Sequence, residues 1–350
     1  LIDLQANMEK SFYEWAVVGA GPAGMAAIGK LLDAAVSPKK ILWIDPEFRV
    51  GDFGTRWRNV TSNTRVELFN KFLHAYQSFD YASAPDFPIN HAAPKETCYL
   101  REMADPLQWI SDHLKQTVHA VVDKVKHLKP ENDYWQLTLT DQKLLSKKVI
   151  LATGCEPTSL NYTGINEIPI HIALDPQKLA AACDSNDTIA VFGSSHSAIL
   201  ILKTLNETPA VKKIINFYRQ DLRYAVHFED YILFDDTGLK GSAADWAKKN
   251  IDGELPAKIQ RMISTEESVN KFLPLCDKVI YATGFTKRHV QIEDKPVLAY
   301  NDKTGVIAPG LFGVGIAFPE AKLDRFGNLE YRVGLWKFVD YLERILLDYV

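Results

Sequence analysis

The chain has 350 residues, 47% of them hydrophobic and 24% charged, with 40 Lys and Arg against 44 Asp and Glu. At about 150 residues per domain this length implies two domains, and a net charge of −4 without any dense basic run excludes nucleic acid as the first choice of partner. Cys98, Cys155, Cys183 and Cys276 form no CxxC pair, which excludes a disulfide scaffold and a zinc cluster, and no apolar run approaches the ~18 residues of a membrane span.

The expectation is therefore a soluble cytoplasmic protein with reduced thiols, no metal site, no leader and no membrane segment. The first methionine is Met8, so Leu1 to Asn7 read as an addition ahead of the native start.

In chain order, Trp15–Val18 is a short apolar run entering Gly19, Met25–Ala35 is a helical pattern, and Ile41–Ile44 is the next strand. Together they make a βαβ unit of about 30 residues. Between 120 and 150 the texture changes. Ala120–Leu128, Tyr134–Thr140 and Leu144–Leu151 are β-like runs broken by Pro130-Glu131-Asn132-Asp133 and by Asp141-Gln142, which predicts an antiparallel meander. Lys148–Leu151 then leads into Ala152-Thr153-Gly154. The βαβ texture returns with a strand at Thr188–Phe192, a helix at Ala198–Leu205 and a strand at Lys213–Tyr218. Lys278–Tyr281 leads into Ala282-Thr283-Gly284. Leu335, Phe338, Val339, Leu342, Ile345 and Leu346 fall at helical spacing and predict a terminal amphipathic helix.

Two glycine turns carry the chemistry. Gly19-Ala20-Gly21-Pro22-Ala23-Gly24 stands between a strand and a helix. Gly19 allows the tight turn, Gly21 lets a pyrophosphate approach the backbone, and Gly24 lets helix and strand pack closely. The helix start offers unpaired N–H groups to phosphate. Asp45, 21 residues beyond Gly24 at the end of the next strand, is placed to accept from a ribose hydroxyl. The second turn is Gly193-Ser194-Ser195-His196-Ser197-Ala198, with Ser195 where the central glycine would be. Arg219 follows the next strand, where a site preferring NADH would carry an acid. A guanidinium there pairs with a 2′-phosphate, so NADPH is the expected donor, with Arg223 a second candidate. The fold class is α/β, with two Rossmann-like dinucleotide-binding domains, one inserted in the other, and an antiparallel β-meander. The expected boundaries are 8–156 and 286–350 for the outer domain and 157–285 for the inserted one.

Two such units, each with an Ala-Thr-Gly segment, resemble the two-dinucleotide flavoproteins. That resemblance implies FAD at the first turn and NAD(P)H at the second. It makes Thr153, Gly154, Thr283 and Gly284 parts of the crossovers. Pro309-Gly310-Leu311-Phe312-Gly313-Val314-Gly315 is similar to the segment that closes on the flavin, with Ile316 where an Asp is usual. Gly54-Thr55-Arg56-Trp57 and Thr61-Ser62-Asn63-Thr64 resemble elements of flavin-containing monooxygenases, in which the Asn stands beside the isoalloxazine. By that resemblance Asn63 is the catalytic candidate, and Trp57, Thr64, Pro46 and Val125 join the cofactor-binding set. The Asn63-Thr64 pair reads equally as a cap for a helix starting near Arg65. Tyr162-Thr163-Gly164 and His171 keep part of a second fingerprint of that family.

The resemblance implies hydride transfer from NADPH to flavin N5, then oxygen activation as a flavin C4a-hydroperoxide that oxygenates a small molecule. The partners expected are a small-molecule substrate and dioxygen, with a homodimer possible. A reductase passing electrons to a non-dithiol acceptor, and a non-catalytic FAD-binding protein, stay open as alternatives. The acids and aromatics from His227 to Asp236 read either as a nicotinamide or substrate entrance or as a solvated loop. His74, His91 and His171 are scattered singles without partners at ligand spacing and read as structural. Cys155, after an Ala-Thr-Gly turn, cannot run dithiol exchange alone.

Overall fold

Strands of a parallel sheet covered on both faces are largely apolar, and the first two are so apart from Glu14 and Asp45. In the computed structural model, which describes residues 12–293 and 299–350, β1 (Phe12–Val18) and β2 (Ile41–Asp45) pair in parallel, from Trp15 opposite Ile41 to Val18 opposite Ile44. All five residues of β2 are buried. Between them runs α1 (Pro22–Asp33), with Pro22 at the first helical position, where a missing N–H loses nothing. Its buried face is mostly Ala and Gly. At Gly29 a Cβ would stand 2.6 Å from the Tyr76 ring and 2.7 Å from that of Phe79, so the helix sits as low as a glycine permits. The stretch Leu1 to Asn7, Met8 and the expected start of the first domain lie outside the described residues.

The chain continues through α2 (Gly51–Thr55), β3 (Thr61–Arg65), α3 (Val66–Leu73), β4 (Thr97–Tyr99) and α4 (Leu100–Thr117) to β5 (His119–Val122). In α4, Met103, Leu107, Ile110 and Leu114 make one buried stripe, and the helix delivers β5 parallel to β2. The sequence reading had one extended run from Ala120 to Leu128. The structure breaks it, because the Asp123 carboxylate accepts the N–H groups of Lys124 (2.7 Å) and Thr140 (3.0 Å) and the Thr140 hydroxyl (2.6 Å). β6 (His127–Glu131) therefore starts in a new direction. It pairs antiparallel with β7 (Tyr134–Thr138), which pairs antiparallel with β8 (Lys143–Leu151). Asn132 takes the left-handed conformation, φ 52°, in the tight turn between β6 and β7.

After β9 (Cys155–Pro157), β10 (Asn166–Glu167), α5 (Ile170–Ala173) and α6 (Pro176–Ala181), a second parallel sheet is built. Its elements are β11 (Asp187–Phe192), α7 (His196–Glu207), β12 (Val211–Tyr218), a small hairpin of β13 (Val226–His227) and β14 (Ile232–Leu233), α8 (Gly241–Asn250), β15 (Ile259–Ile263), α9 (Glu266–Phe272) and β16 (Lys278–Tyr281). The strand order is β10-β16-β11-β12-β15, parallel throughout, with the β13–β14 hairpin outside it. The chain returns through β17 (Phe285–Lys287), antiparallel to β9 with Thr286 opposite Glu156.

β18 (Gln291–Ile292) extends the first sheet at β6. β19 (Val306–Ala308) leads to β20 (Leu311–Gly313), which lies parallel to the second half of β8, Leu311 opposite Val149. β7 occupies the first half of that strand. A hairpin of β21 (Glu320–Leu323) and β22 (Leu329–Arg332) precedes α10 (Leu335–Ile345). Leu335, Phe338, Val339, Leu342 and Ile345 of α10 are buried in the same core cluster as α1. No helix among the described residues is long and apolar enough to cross a membrane.

Candidate functional site

The two glycine turns have nearly the same geometry. Gly19 sits at φ 111° and Gly193 at φ 124°, a region open to glycine alone without strain. The Gly19 N–H donates to the Ile44 carbonyl at 2.8 Å, and the Gly193 N–H to the Phe217 carbonyl at 2.8 Å. The Ala152 N–H reaches the Val18 carbonyl, and the Ala282 N–H that of Phe192, again both at 2.8 Å. A Cβ at Gly19 would lie 2.3 Å from the Ala152 oxygen, and one at Gly193 would lie 2.3 Å from the Ala282 oxygen. Each Ala-Thr-Gly segment is thus pressed against its own glycine turn.

At the first turn, each glycine has a distinct surrounding. A Cβ on Gly24 would stand 1.9 Å from the Gly19 oxygen, so strand and helix touch there. A Cβ on Gly21 would meet nothing within 4 Å. No side chain caps α1 at Gly21, so the first N–H groups of a twelve-residue helix face an open cradle. This fits a pyrophosphate. The closing segment lies on the same turn: a Cβ at Gly315, φ 90°, would stand 2.7 Å from the Ala23 Cβ. Gly313 is packed under Phe318, and Ile316 is 40% exposed.

The Asp45 carboxylate is largely engaged by its own chain. Oδ2 accepts the Ala20 N–H at 2.8 Å, and Oδ1 accepts those of Glu47 (2.8 Å) and Phe48 (2.7 Å). About one acceptor position is left for a ribose. Pro46 beside it is exposed. The side chain of Val125 is buried in a core cluster with Val18, Leu42 and Ile44.

At the second turn, Ser195 is exposed and its hydroxyl caps nothing. Ser194 donates to the Gln220 carbonyl at 2.9 Å, and Ser197 is half-buried. Arg219 is exposed and makes no ion pair or side-chain hydrogen bond among the described residues. An open cleft of about 640 Å³, lined by Gln220 to Tyr224 and Phe234, adjoins it. Arg223 stacks over Phe234 at 4.6 Å. Thr283 donates to the Thr158 carbonyl at 2.9 Å, while Gly284, φ 94°, is exposed with open space around it.

The sequence reading placed His196 among the phosphate-binding residues, but its ring turns the other way. Nε2 donates to the Thr61 carbonyl at 3.0 Å, and Nδ1 is buried without a partner. Burial holds its pKa below the usual value, aided by Lys240 and opposed by the Thr61 hydrogen bond. The ring is therefore neutral, and it joins the second turn to β3.

Asn63 lies two residues further along β3. Its Nδ2 donates to the Gly238 carbonyl at 3.2 Å, and its Oδ1 accepts the Lys240 N–H at 3.1 Å. The capping alternative does not hold, since Arg65 is the residue before α3 and no side chain caps that helix. Thr64 presents its carbonyl to the Ser62 hydroxyl at 2.6 Å. Trp57 packs edge-on against Phe285 at 6.1 Å.

Sequence reasoning missed Arg288. Its N–H donates to the Gly154 carbonyl at 3.0 Å, and its guanidinium pairs with Asp52 (2.5 Å) and Glu156 (2.7 Å) beside Thr153. Its place four residues after Gly284 was the available signal. His171 falls near Arg56, and burial first, then that cation, lowers its pKa. Burial raises the pKa of the Cys155 thiol, against the nearby Arg288, and so favours its protonated form.

Paired glycine turns, each following a parallel strand and closed by an Ala-Thr-Gly segment, define a two-dinucleotide-binding flavoprotein. The pyridine nucleotide-disulphide oxidoreductase family matches residues 16–309. The chain belongs to that family and is an NAD(P)H-dependent FAD oxidoreductase. It is 33% identical over 376 residues to Monooxygenase AgnR1 of Paecilomyces divaricatus, covering 94% of this chain and 96% of the relative. Its fold is similar to that of a flavin-containing monooxygenase from Stenotrophomonas maltophilia, with TM-score 0.64, 16% identity and coverage of 97% and 98% of the two chains. It is also similar to the Lactococcus lactis thioredoxin reductase, with TM-score 0.56, 15% identity and coverage of 96% and 98%.

Proposed function

We propose that this protein is an NADPH-dependent, FAD-containing monooxygenase acting on a small molecule. The observation that carries the reading is the position of β3. Through Thr61 this strand touches the second nucleotide turn, and two residues later it presents Asn63. The relation to a protein named a monooxygenase, over nearly the whole of both chains, supports it. The missing CxxC pair argues against dithiol reduction.

In this reading residues 8–156 and 286–350 form the flavin domain and residues 157–285 the nicotinamide domain. FAD, when bound, supplies the hydride acceptor and the means of activating oxygen. The bare backbone of Gly19, Gly21 and Gly24, with Pro22 and Ala23 opening the helix, holds the pyrophosphate. Asp45 uses its remaining acceptor position on the ribose, with Pro46 and the Val125 backbone alongside. Thr153, Gly154, Gly313, Gly315 and Ile316 line the flavin chain, with Trp57 and Thr64 at its far end. The Ser194 N–H and the hydroxyls of Ser195 and Ser197 donate to the NADPH phosphates, and Arg219 pairs with the 2′-phosphate. Thr283 and Gly284 bound the nicotinamide side. Asn63, uncharged and both donor and acceptor, orients the nicotinamide by exchanging its contacts to Gly238 and Lys240.

The test is rapid mixing of the purified yellow protein with NADPH without oxygen, then with oxygen and a thioether or cyclic ketone probe. Bleaching of the flavin followed by oxygenated probe in proportion to NADPH used is the expected result. Bleaching with reoxidation but no oxygenated product favours a reductase. No bleaching removes the enzymatic reading.

A further inference from the structure

Asn216 is out of place in β12. The strand lies between β11 and β15 in the second sheet, and Ile214, Ile215 and Phe217 are buried in it as a covered parallel strand requires. Asn216 is completely buried among them, and a buried amide is costly unless its polar atoms find partners. It finds them at the end of the sheet that carries the glycine turn. Nδ2 donates to the Val191 carbonyl at 3.0 Å and to the Gly193 carbonyl at 2.8 Å, and Oδ1 accepts the Nε–H of Arg261, in β15, at 2.9 Å. Register places the three in one row, Val191 opposite Asn216 and Asn216 opposite Arg261. Arg261 offers only donors and the carbonyls only acceptors, so the amide has a single orientation.

The first turn uses the same device with different chemistry. Val17 stands opposite Trp43, as Val191 stands opposite Asn216, and the indole Nε1–H of Trp43 donates to the Gly19 carbonyl at 2.9 Å. A trans peptide is planar, with its C=O and N–H antiparallel, so holding the carbonyl of the first glycine aims the next residue's N–H the opposite way. At the first turn that N–H, of Ala20, goes to the Asp45 carboxylate, two residues beyond Trp43. At the second turn the residue two beyond Asn216 is Tyr218, which has no carboxylate, and the Ser194 N–H has no acceptor among the described residues. Arg219 comes next in the chain. Arg261 also lies over the Tyr218 ring at 4.3 Å, and its Nη2 is buried without a partner.

We propose that Asn216 and Arg261 are positioning residues for the 2′-phosphate of NADPH. Arg261 orients the Asn216 amide, and the amide fixes the Gly193 carbonyl. The Ser194 N–H is thereby aimed at the place that corresponds to the Asp45 carboxylate of the first turn. There the 2′-phosphate of the adenosine ribose accepts it, in company with Arg219. The stacked guanidinium holds Tyr218, and through it the start of Arg219. Its uncompensated charge is of the sign that favours a phosphate nearby. NADH offers only a neutral hydroxyl at that place, a weaker acceptor. The inference rests on the second turn's being the NADPH site, as proposed above.

Rapid anaerobic mixing of the flavin-loaded chain with NADPH and, separately, with NADH tests it. The dissociation constant and limiting rate are read from the saturation of flavin bleaching. Asn216→Leu should raise the dissociation constant of NADPH about tenfold and that of NADH less than about threefold, with the limiting rate and flavin content within about twofold of native. Arg261→Met should act in the same direction, and the double variant should lose less than the product of the single losses, because the two act as one relay. Should Asn216→Leu fail to fold or to retain flavin, Asn216→Asp decides. It keeps the shape and the Arg261 contact but cannot donate, so the same selective loss of NADPH is expected. Native affinity in Asn216→Asp, equal losses of both nucleotides, or a double loss equal to the product of the singles overturns the inference. Arg219→Ala separates it from the reading beneath it. If that variant loses NADPH selectively while both Asn216 variants bind as the native chain does, the NADPH site stands and the relay falls. A native chain that NADPH does not bleach overturns both.

Discussion

Gly21 and Gly24 stand three residues apart in one turn, yet a methyl group harms each differently. In Gly24→Ala the new Cβ would lie 1.9 Å from the Gly19 oxygen. A loss of about 3 kcal/mol or outright misfolding is expected, measured by thermal melting. In Gly21→Ala the Cβ enters open space, so the melting temperature of the flavin-free chain should change by less than the equivalent of about 1 kcal/mol. Flavin retention after gel filtration should nevertheless collapse, because the methyl group occupies the phosphate approach. Arg219→Ala should raise KM for NADPH by about tenfold while that for NADH moves little, as expected for one lost charge-assisted hydrogen bond. Equal losses in steady-state assays would remove the 2′-phosphate role.

His196 adds a pH dependence. Its folded pKa lies below the unfolded value of about 6.5, so its contribution is complete above that value. As pH falls through it, the unfolded chain takes up the proton first and stability drops. Melting temperatures from pH 8 to 5 should decline at the acid end, and His196→Asn should flatten the slope. These residues differ in how far the sequence reveals them. The glycines act through sterics within a few positions, so their roles are legible in the motif. The partners of Asn63 lie about 175 residues away, and the turning of His196 toward β3 depends on how two distant strands meet.

The segment between β12 and α8 shows the same contrast among elements. Its aromatic and acidic run read as either an entrance or a solvated loop. In the structure it is clasped to the C-terminal region. Asp235 pairs with Lys240 and Lys337, both at 2.5 Å, and Lys337 also reaches Asp236 at 2.7 Å. Burial raises the Asp235 pKa, but the two lysines overcome it and hold the carboxyl at about 2. Burial pushes Asp236 the other way, up from the ordinary value, despite Lys337. The stabilisation from Asp235 is therefore present above about pH 4 and lost as pH falls toward 2. Lys337→Met should cost about 2–3 kcal/mol at neutral pH by leaving a buried acid unpaired, read from denaturant unfolding. Composition gave no sign of this clasp, since its halves lie about 100 residues apart. The strand–glycine–helix units were legible because periodicity is local. The break at Asp123 was not, because its cause is a hydroxyl and an N–H at Thr140.

For the whole molecule, the first sheet is assembled from both ends of the described chain. β20 pairs with β8 across the whole second sheet, which lies between them in the chain. Contacts of such long separation are formed slowly, so the second sheet is free to complete before the first is closed. The connections between the two run side by side: the Thr158 N–H donates to the Gly284 carbonyl at 3.0 Å, and the hydroxyls of Thr158 and Thr286 meet at 2.9 Å. The intervening stretch thus begins and ends at one spot. In the language of heredity, two crossovers at neighbouring points in space exchange a whole nucleotide module while every strand of the first sheet keeps its register. A gene with that layout can have its second sheet replaced as one block by recombination, with the pairing of β20 on β8 left as it is.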